Sequence, residues 1–140
     1  MRINITGSLL CAREAVRRLS TKHGGPGGAI VNMSSAAARL GGANGLLHYG
    51  ASKGARDTFT KGLAEEVGGE GIRVNAVRPG IIETDIHDDM GVEGRVEKLG
   101  PLVPLKRSGS PEEVAEVVMW LLSDSASYCT GTIVDVSGGR

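Results

Sequence analysis

Ala29-Ile30-Val31-Asn32-Met33 is a short apolar run with two β-branched residues and no polar alternation, preceded directly by Gly24-Gly25-Pro26-Gly27-Gly28. A strand of this kind is covered on both faces, as strands of a parallel sheet are. Upstream, Ile5, Leu9, Ala12, Val16 and Leu19 recur every three or four residues with Arg13, Glu14, Arg17 and Arg18 between them. That is the stripe of an amphipathic helix, and the glycine cluster ends it. Downstream, a loop of small residues and glycine, 36–45, leads to a second helix over about 49–67 with Ala51, Ala55, Phe59 and Leu63 at four-residue spacing. Gly50, Gly54 and Gly62 weaken this helix by about 1 kcal/mol each relative to alanine. Two readings stay open for them: a helix or a second subunit lies close along that side, or the helix packs plainly on its own sheet.

Further along, Ile72-Arg73-Val74-Asn75-Ala76-Val77 reads as a second strand, stopped by Pro79-Gly80. The segment 81–109 carries Gly100, Pro101, Pro104 and Gly109 with mixed charge, and reads as a long mobile excursion. Ser110-Pro111-Glu112-Glu113 is a helix start, with serine as cap, proline in the first turn and glutamate three residues after the cap. Val114, Val117, Val118, Leu121 and Leu122 supply its buried stripe, and Thr132-Ile133-Val134-Asp135-Val136 is a third strand. Helix, strand, helix, strand, helix, strand predicts an α/β fold: a parallel sheet with right-handed crossovers.

Composition agrees with a single domain. The chain has 140 residues, 16 basic and 16 acidic side chains, 40% hydrophobic residues and 22 glycines. Its apolar share excludes a mostly disordered or collagen-like chain, and no block of like charge suggests a nucleic-acid arm. Cys11 and Cys129 stand far apart, which supports neither a metal cluster nor a disulfide framework and fits a reducing compartment. The first residues, with Arg2 and Asn4, open no long apolar stretch, so a secretory signal and a membrane span are not expected and a cytoplasmic protein is. The sequons at Asn4 and Asn32 then carry no weight.

In an open parallel sheet, reactive groups collect beyond the carboxyl ends of the strands. Ser34 and Ser35 follow the first strand, Tyr49 and Lys53 stand one helical turn apart at the opening of the next helix, and Pro79-Gly80 through Thr84 follow the second. These three sets are expected to face one crevice. A free phenol loses its proton near pH 10. A unit positive charge about 4 Å away stabilises a phenolate by about 4 kcal/mol at an effective dielectric of 20, but by only about 1 in water. A sheltered tyrosine beside a lysine can therefore pass a proton to a carbonyl oxygen as it becomes an alcohol, or take one in reverse. On the pair alone, a surface helix with a packed tyrosine and a solvated lysine is the plainer reading.

The combination changes that weighting. Ser35, fourteen residues before Tyr49, then Lys53, then Asn75-Ala76-Val77-Arg78-Pro79-Gly80 with Thr84 beyond, resembles the short-chain dehydrogenase/reductase family over essentially the whole chain. The resemblance implies the C-terminal part of a Rossmann-like doubly wound parallel sheet, with residues 1–140 forming a partial domain. It implies a catalytic set of Asn4, Ser35, Tyr49 and Lys53: tyrosine as general acid/base, serine holding the substrate oxygen, lysine as ribose ligand and phenol tuner, and asparagine anchoring a relay water. It further implies that Tyr49, Lys53, Pro79, Gly80, Ile82 and Thr84 contact NAD or NADP, the last four at the nicotinamide carboxamide, and that 86–107 is a variable substrate lid. The serine-to-tyrosine spacing is one residue longer than the family's commonest, which leaves Ser34 as a weaker candidate.

The dinucleotide-binding half of such a domain, with its glycine-rich pyrophosphate turn, has no counterpart here. Gly24 to Gly28 comes after a helix and before a strand, and Gly41-Gly42-Ala43-Asn44-Gly45 lacks the G-x-G-x-x-G spacing. The first strand is then expected to have an open edge. Among the remaining polar residues, His87-Asp88-Asp89 reads as a solvated loop rather than metal ligands, His48 faces substrate or solvent, His23 belongs to a loop, and Trp120 reads as core or interface. Two functions follow. One is hydride transfer between a nicotinamide and a carbonyl or secondary alcohol, with sugar or oxoacyl substrates in view. The other is a non-catalytic remnant that acts as an oligomerising interaction module through the helix at about 49–67. A small-molecule substrate and a homo-oligomer are the expected partners, with no nucleic acid, membrane or metal.

Overall fold

The computed structural model describes residues 1–43, 45–84 and 94–140. His87-Asp88-Asp89 and the first part of the expected lid lie outside them. Three parallel strands, β1 (Gly28–Met33), β2 (Ile72–Pro79) and β3 (Ile133–Val136), stand side by side in that order. Their register pairs Met33 with Val77 and Val77 with Val134. Helix α1 (Ser8–Leu19) precedes β1, α2 (Ala37–Leu40) and α3 (Leu47–Val67) separate β1 from β2, and α4 (Arg95–Leu99) and α5 (Pro111–Leu122) come before β3. The α/β order expected from the sequence is the order observed.

Successive side chains of β2 point to opposite faces of the sheet. Ile72 and Val74 join Ala64 and Val67 of α3, with Val16 and Leu19 of α1 against them. Val77 turns the other way and packs on Val114 and Leu121 of α5. β1 is covered on both faces as its composition requires, Ile30 joining the first cluster and Val31 the second. It is nevertheless only half-buried, because it lies at the edge of the described sheet with β2 as its one partner.

Several local features differ from expectation. The first helix is wound as a π-helix over Arg2–Gly7 before α1 begins. A four-residue helix, α2, sits in the loop expected to be irregular, and Gly50 is what lets α3 approach it: a Cβ there would come within 3.0 Å of the Gly41 carbonyl and 3.1 Å of the Ala37 oxygen. Gly62, by contrast, faces open space. The expected excursion contains α4, and its base is closed by a parallel bridge between Ile82 and Gly109. The start of α5 is as read: Ser110 accepts from the Glu113 N–H, and the Glu113 carboxylate accepts from the Ser110 N–H. Trp120 is 44% exposed, which removes it from the core.

Candidate active site

The carboxyl ends of β1 and β2 open into a cavity of about 780 Å³. Ser34 and Ser35 enter it from the end of β1, Tyr49 and Lys53 from α3, Pro79 from the end of β2, and Gly80, Ile82 and Thr84 from the segment after it. Apart from Asn4, every residue proposed from the sequence lines this one space. Leu40, Leu46 and Leu99 add an apolar wall, and Arg140 borders it. Gly80 is packed flush against the chain after β3, where a Cβ would meet the Ser137 Cα at 2.7 Å, so two segments close together behind the cavity.

The two serines are not equivalent. Ser34 is buried, and its hydroxyl donates to the Lys53 carbonyl at 3.2 Å, tying β1 to the backbone of α3. The Ser35 hydroxyl accepts from the Ala37 N–H at 3.2 Å, which leaves its own hydrogen free to donate. That asymmetry favours Ser35 as the group that meets a ligand.

Lys53 lies with its Nζ 5.5 Å from the centroid of the Tyr49 ring, the two heads on one side of their helix. An ammonium over an aromatic face is held by the ring quadrupole. Its Nζ also donates to the Met33 carbonyl at 2.9 Å. Burial pushes the Lys53 amine down to about 8, the neighbouring Arg56 charge pushes the same way, and Asp57 opposes them.

Asn4 is held elsewhere. Its amide donates to Ser52 Oγ at 3.0 Å, and its carbonyl accepts from Ser8 Oγ at 3.0 Å and Arg56 Nε at 3.1 Å. It sits behind α3, off the cavity lining.

The sequence reading passed over Arg56, Asp57 and the Met33 carbonyl. Arg56 and Asp57 follow Lys53 by three and four residues, the spacing at which helix side chains become neighbours, and that was the available signal. Asp57 is 7% exposed and pairs with Arg78 Nη2 of β2 at 2.7 Å, while its other oxygen, Oδ1, is buried without a partner. Among the described residues no cluster of histidine, cysteine, aspartate or glutamate is placed to hold a metal ion, and no helix is long and apolar enough to cross a membrane.

Comparison with known proteins gives one consistent result. A family model described as enoyl-(acyl carrier protein) reductase matches residues 1–140. The uncharacterized oxidoreductase YgfF of Escherichia coli is 54% identical over 137 residues, covering 98% of this chain and 56% of that protein. The 3-oxoacyl-acyl-carrier-protein reductase FabG of Aquifex aeolicus is 40% identical over 139 residues, covering 99% and 54%. A crystal structure titled as a short-chain dehydrogenase/reductase, glucose/ribitol dehydrogenase, from Brucella melitensis superposes with a TM-score of 0.84 at 37% identity, covering 98% of this chain and 53% of that one. The chain thus spans about half the length of the relatives it matches.

Proposed function

The chain belongs to the short-chain dehydrogenase/reductase family, and on that premise we propose that it supplies the proton-transfer side of an NAD(P)-dependent oxidoreductase interconverting a carbonyl and a secondary alcohol. The observation that carries this reading is the convergence of Ser35, Tyr49 and Lys53 on one cavity at the carboxyl ends of parallel strands. Tyr49 gives its hydroxyl proton to the carbonyl oxygen of the substrate, or takes it from the alcohol in the reverse direction. Ser35 donates a hydrogen bond to the same oxygen and fixes its place. Lys53 brings a positive charge to the ring that must carry a phenolate between turnovers.

The donor set fits the nicotinamide end of the cofactor. Lys53 is the group for the ribose hydroxyls, and Pro79, Gly80, Ile82 and Thr84 form the wall for the carboxamide. When bound, the nicotinamide supplies or takes up the hydride. The pyrophosphate has no such cradle among the described residues: β1 runs through two serines into α2, and β2 runs into Pro79-Gly80 with no helix N-terminus behind it. The cofactor's other half therefore needs a surface that these residues do not supply.

FabG and the glucose/ribitol dehydrogenase name oxoacyl and sugar substrates, and both classes are proposed for this cavity. A cytoplasmic setting and a homo-oligomer through α3 complete the proposal. The second reading, an interaction module without turnover, draws on the open space at Gly62 of α3.

A hybrid tests the first reading: FabG of Aquifex aeolicus carrying residues 28–84 of this chain in place of its aligned stretch, which keeps the host's remaining parts. Tyr49→Phe in that hybrid is expected to lower turnover of a 3-oxoacyl thioester by about 10²–10⁴-fold, the contribution of a positioned general acid. Turnover near that of the unmutated hybrid would remove Tyr49 from the mechanism.

A further inference from the structure

Met33 ends β1, and its peptide unit has two sides. The Ser34 N–H of that unit donates to the Val77 carbonyl of β2, so the Met33 carbonyl points away from β2. Two cationic side chains meet there. Lys53 Nζ donates to this oxygen at 2.9 Å, and Arg56 Nη1 donates to it at 2.5 Å. Arg56 does more with its remaining donors: Nε reaches the Asn4 carbonyl at 3.1 Å and Nη2 reaches Ser8 Oγ at 2.5 Å. One guanidinium thereby joins α3 to β1, to the Arg2–Gly7 turn and to the start of α1. The fork holds all three acceptors at once, which a lysine at this position cannot do.

We propose that Arg56 is a positioning residue for Lys53: its fixed guanidinium shares the Met33 carbonyl with the lysine, so that the amine is held at the cavity beside a permanent like charge. This rests on reading Lys53 as the amine that serves Tyr49. A carbonyl oxygen has two lone pairs, and with Arg56 on one of them Lys53 has a single place to dock. Two nitrogens bonded to one oxygen lie within roughly 5 Å of each other. The repulsion falls on the lysine, because a guanidinium keeps its proton in proteins. Among the described residues, the groups near Lys53 are few. On α3 they are Tyr49, Arg56 and Asp57; β1 offers only the Met33 carbonyl; Arg78 of β2 is engaged by Asp57 and lies 3.8 Å from Asp135 of β3; Arg140 borders the same cavity. Asp57 is the one described to act on Lys53 in the opposite sense to Arg56.

The experiment reads the protonation of Lys53 itself. Trace acetylation of the chain across a pH series, followed by peptide mass spectrometry, gives the midpoint at which the Lys53 amine becomes reactive, with exposed Lys61 as the internal reference. Arg56→Gln is expected to move that midpoint upward by about half a unit to two units, the range Coulomb's law gives for one charge at this separation between effective dielectrics of about 80 and 20. Asp57→Asn is expected to move it downward. Loss of the fold moves the midpoint upward in both variants, so opposite directions cannot come from unfolding. If Arg56→Gln does not fold, Ser8→Ala, which removes the Nη2 acceptor, is expected to give a smaller upward shift. An unchanged midpoint in the folded Arg56 variant or, in its place, in Ser8→Ala, or an upward shift in the folded Asp57→Asn variant, overturns the proposal. The measurement needs no turnover, so an error in the reading of the reaction and an error in the role of Arg56 give different results.

Discussion

Glu113 at the start of α5 and Lys53 in α3 are both ionisable groups pushed below their ordinary values, and they show two opposite ways in which a fold shifts a proton. Glu113 is brought to about 2 because Arg107 donates to it and the Ser110 N–H adds a second bond, so the fold favours its charged form. Lys53 is brought to about 8 because burial and Arg56 disfavour its charge. Both depressions make stability rise with pH, in separate windows. The Glu113 contribution is complete above 4.5 and is lost as pH falls toward about 2. For Lys53 the fold opposes the proton that the unfolded chain holds, so stability is reduced up to about pH 8 and recovers toward 10.5. At neutral pH the charge at α5 helps the fold, and the charge at the cavity works against it.

Substitutions can break this contrast. The largest loss of stability is expected beside the site, at Gly50→Val, where a side chain must displace the backbone of α2 at Gly41 and Ala37. Overpacking of this sort costs about 1–3 kcal/mol in chemical denaturation, and the change would deform the cavity wall as well. A smaller loss, about 1 kcal/mol, is expected for Ser110→Ala, which removes one half of the capping box at a residue that does not itself line the cavity. If the cap variant cost more than the Gly50 variant, the division between the two regions would be wrong.

The same division decided what could be read in advance. The capping box of α5 lies within four consecutive residues, and the strands announce themselves by apolar runs, so both were legible. The cavity was legible where spacing along one helix or a strand end sufficed, as for Tyr49, Lys53 and Ser35. It was not legible where the partner is distant in sequence. Arg56 meets Asn4, Ser8 and Met33, and Asp57 meets Arg78, through contacts 21 to 52 residues apart. Short α2 escaped notice for the same reason, since four residues carry too little pattern and Gly50 of another helix makes its place. Asn4 was assigned by likeness to the family, and the π-helix of Arg2–Gly7 with the Ser52 and Arg56 bonds holds it behind α3.

The central claim is that the fold holds Lys53 at the cavity in surroundings that disfavour its charge. The most direct measurement is the difference in unfolding free energy between the chain and its Lys53→Met variant, followed from pH 7 to pH 10.5. The account predicts that the wild-type chain gains stability relative to the variant as pH rises from about 8 toward 10.5. A difference that stays constant across that window, or that moves against the wild-type chain, contradicts it.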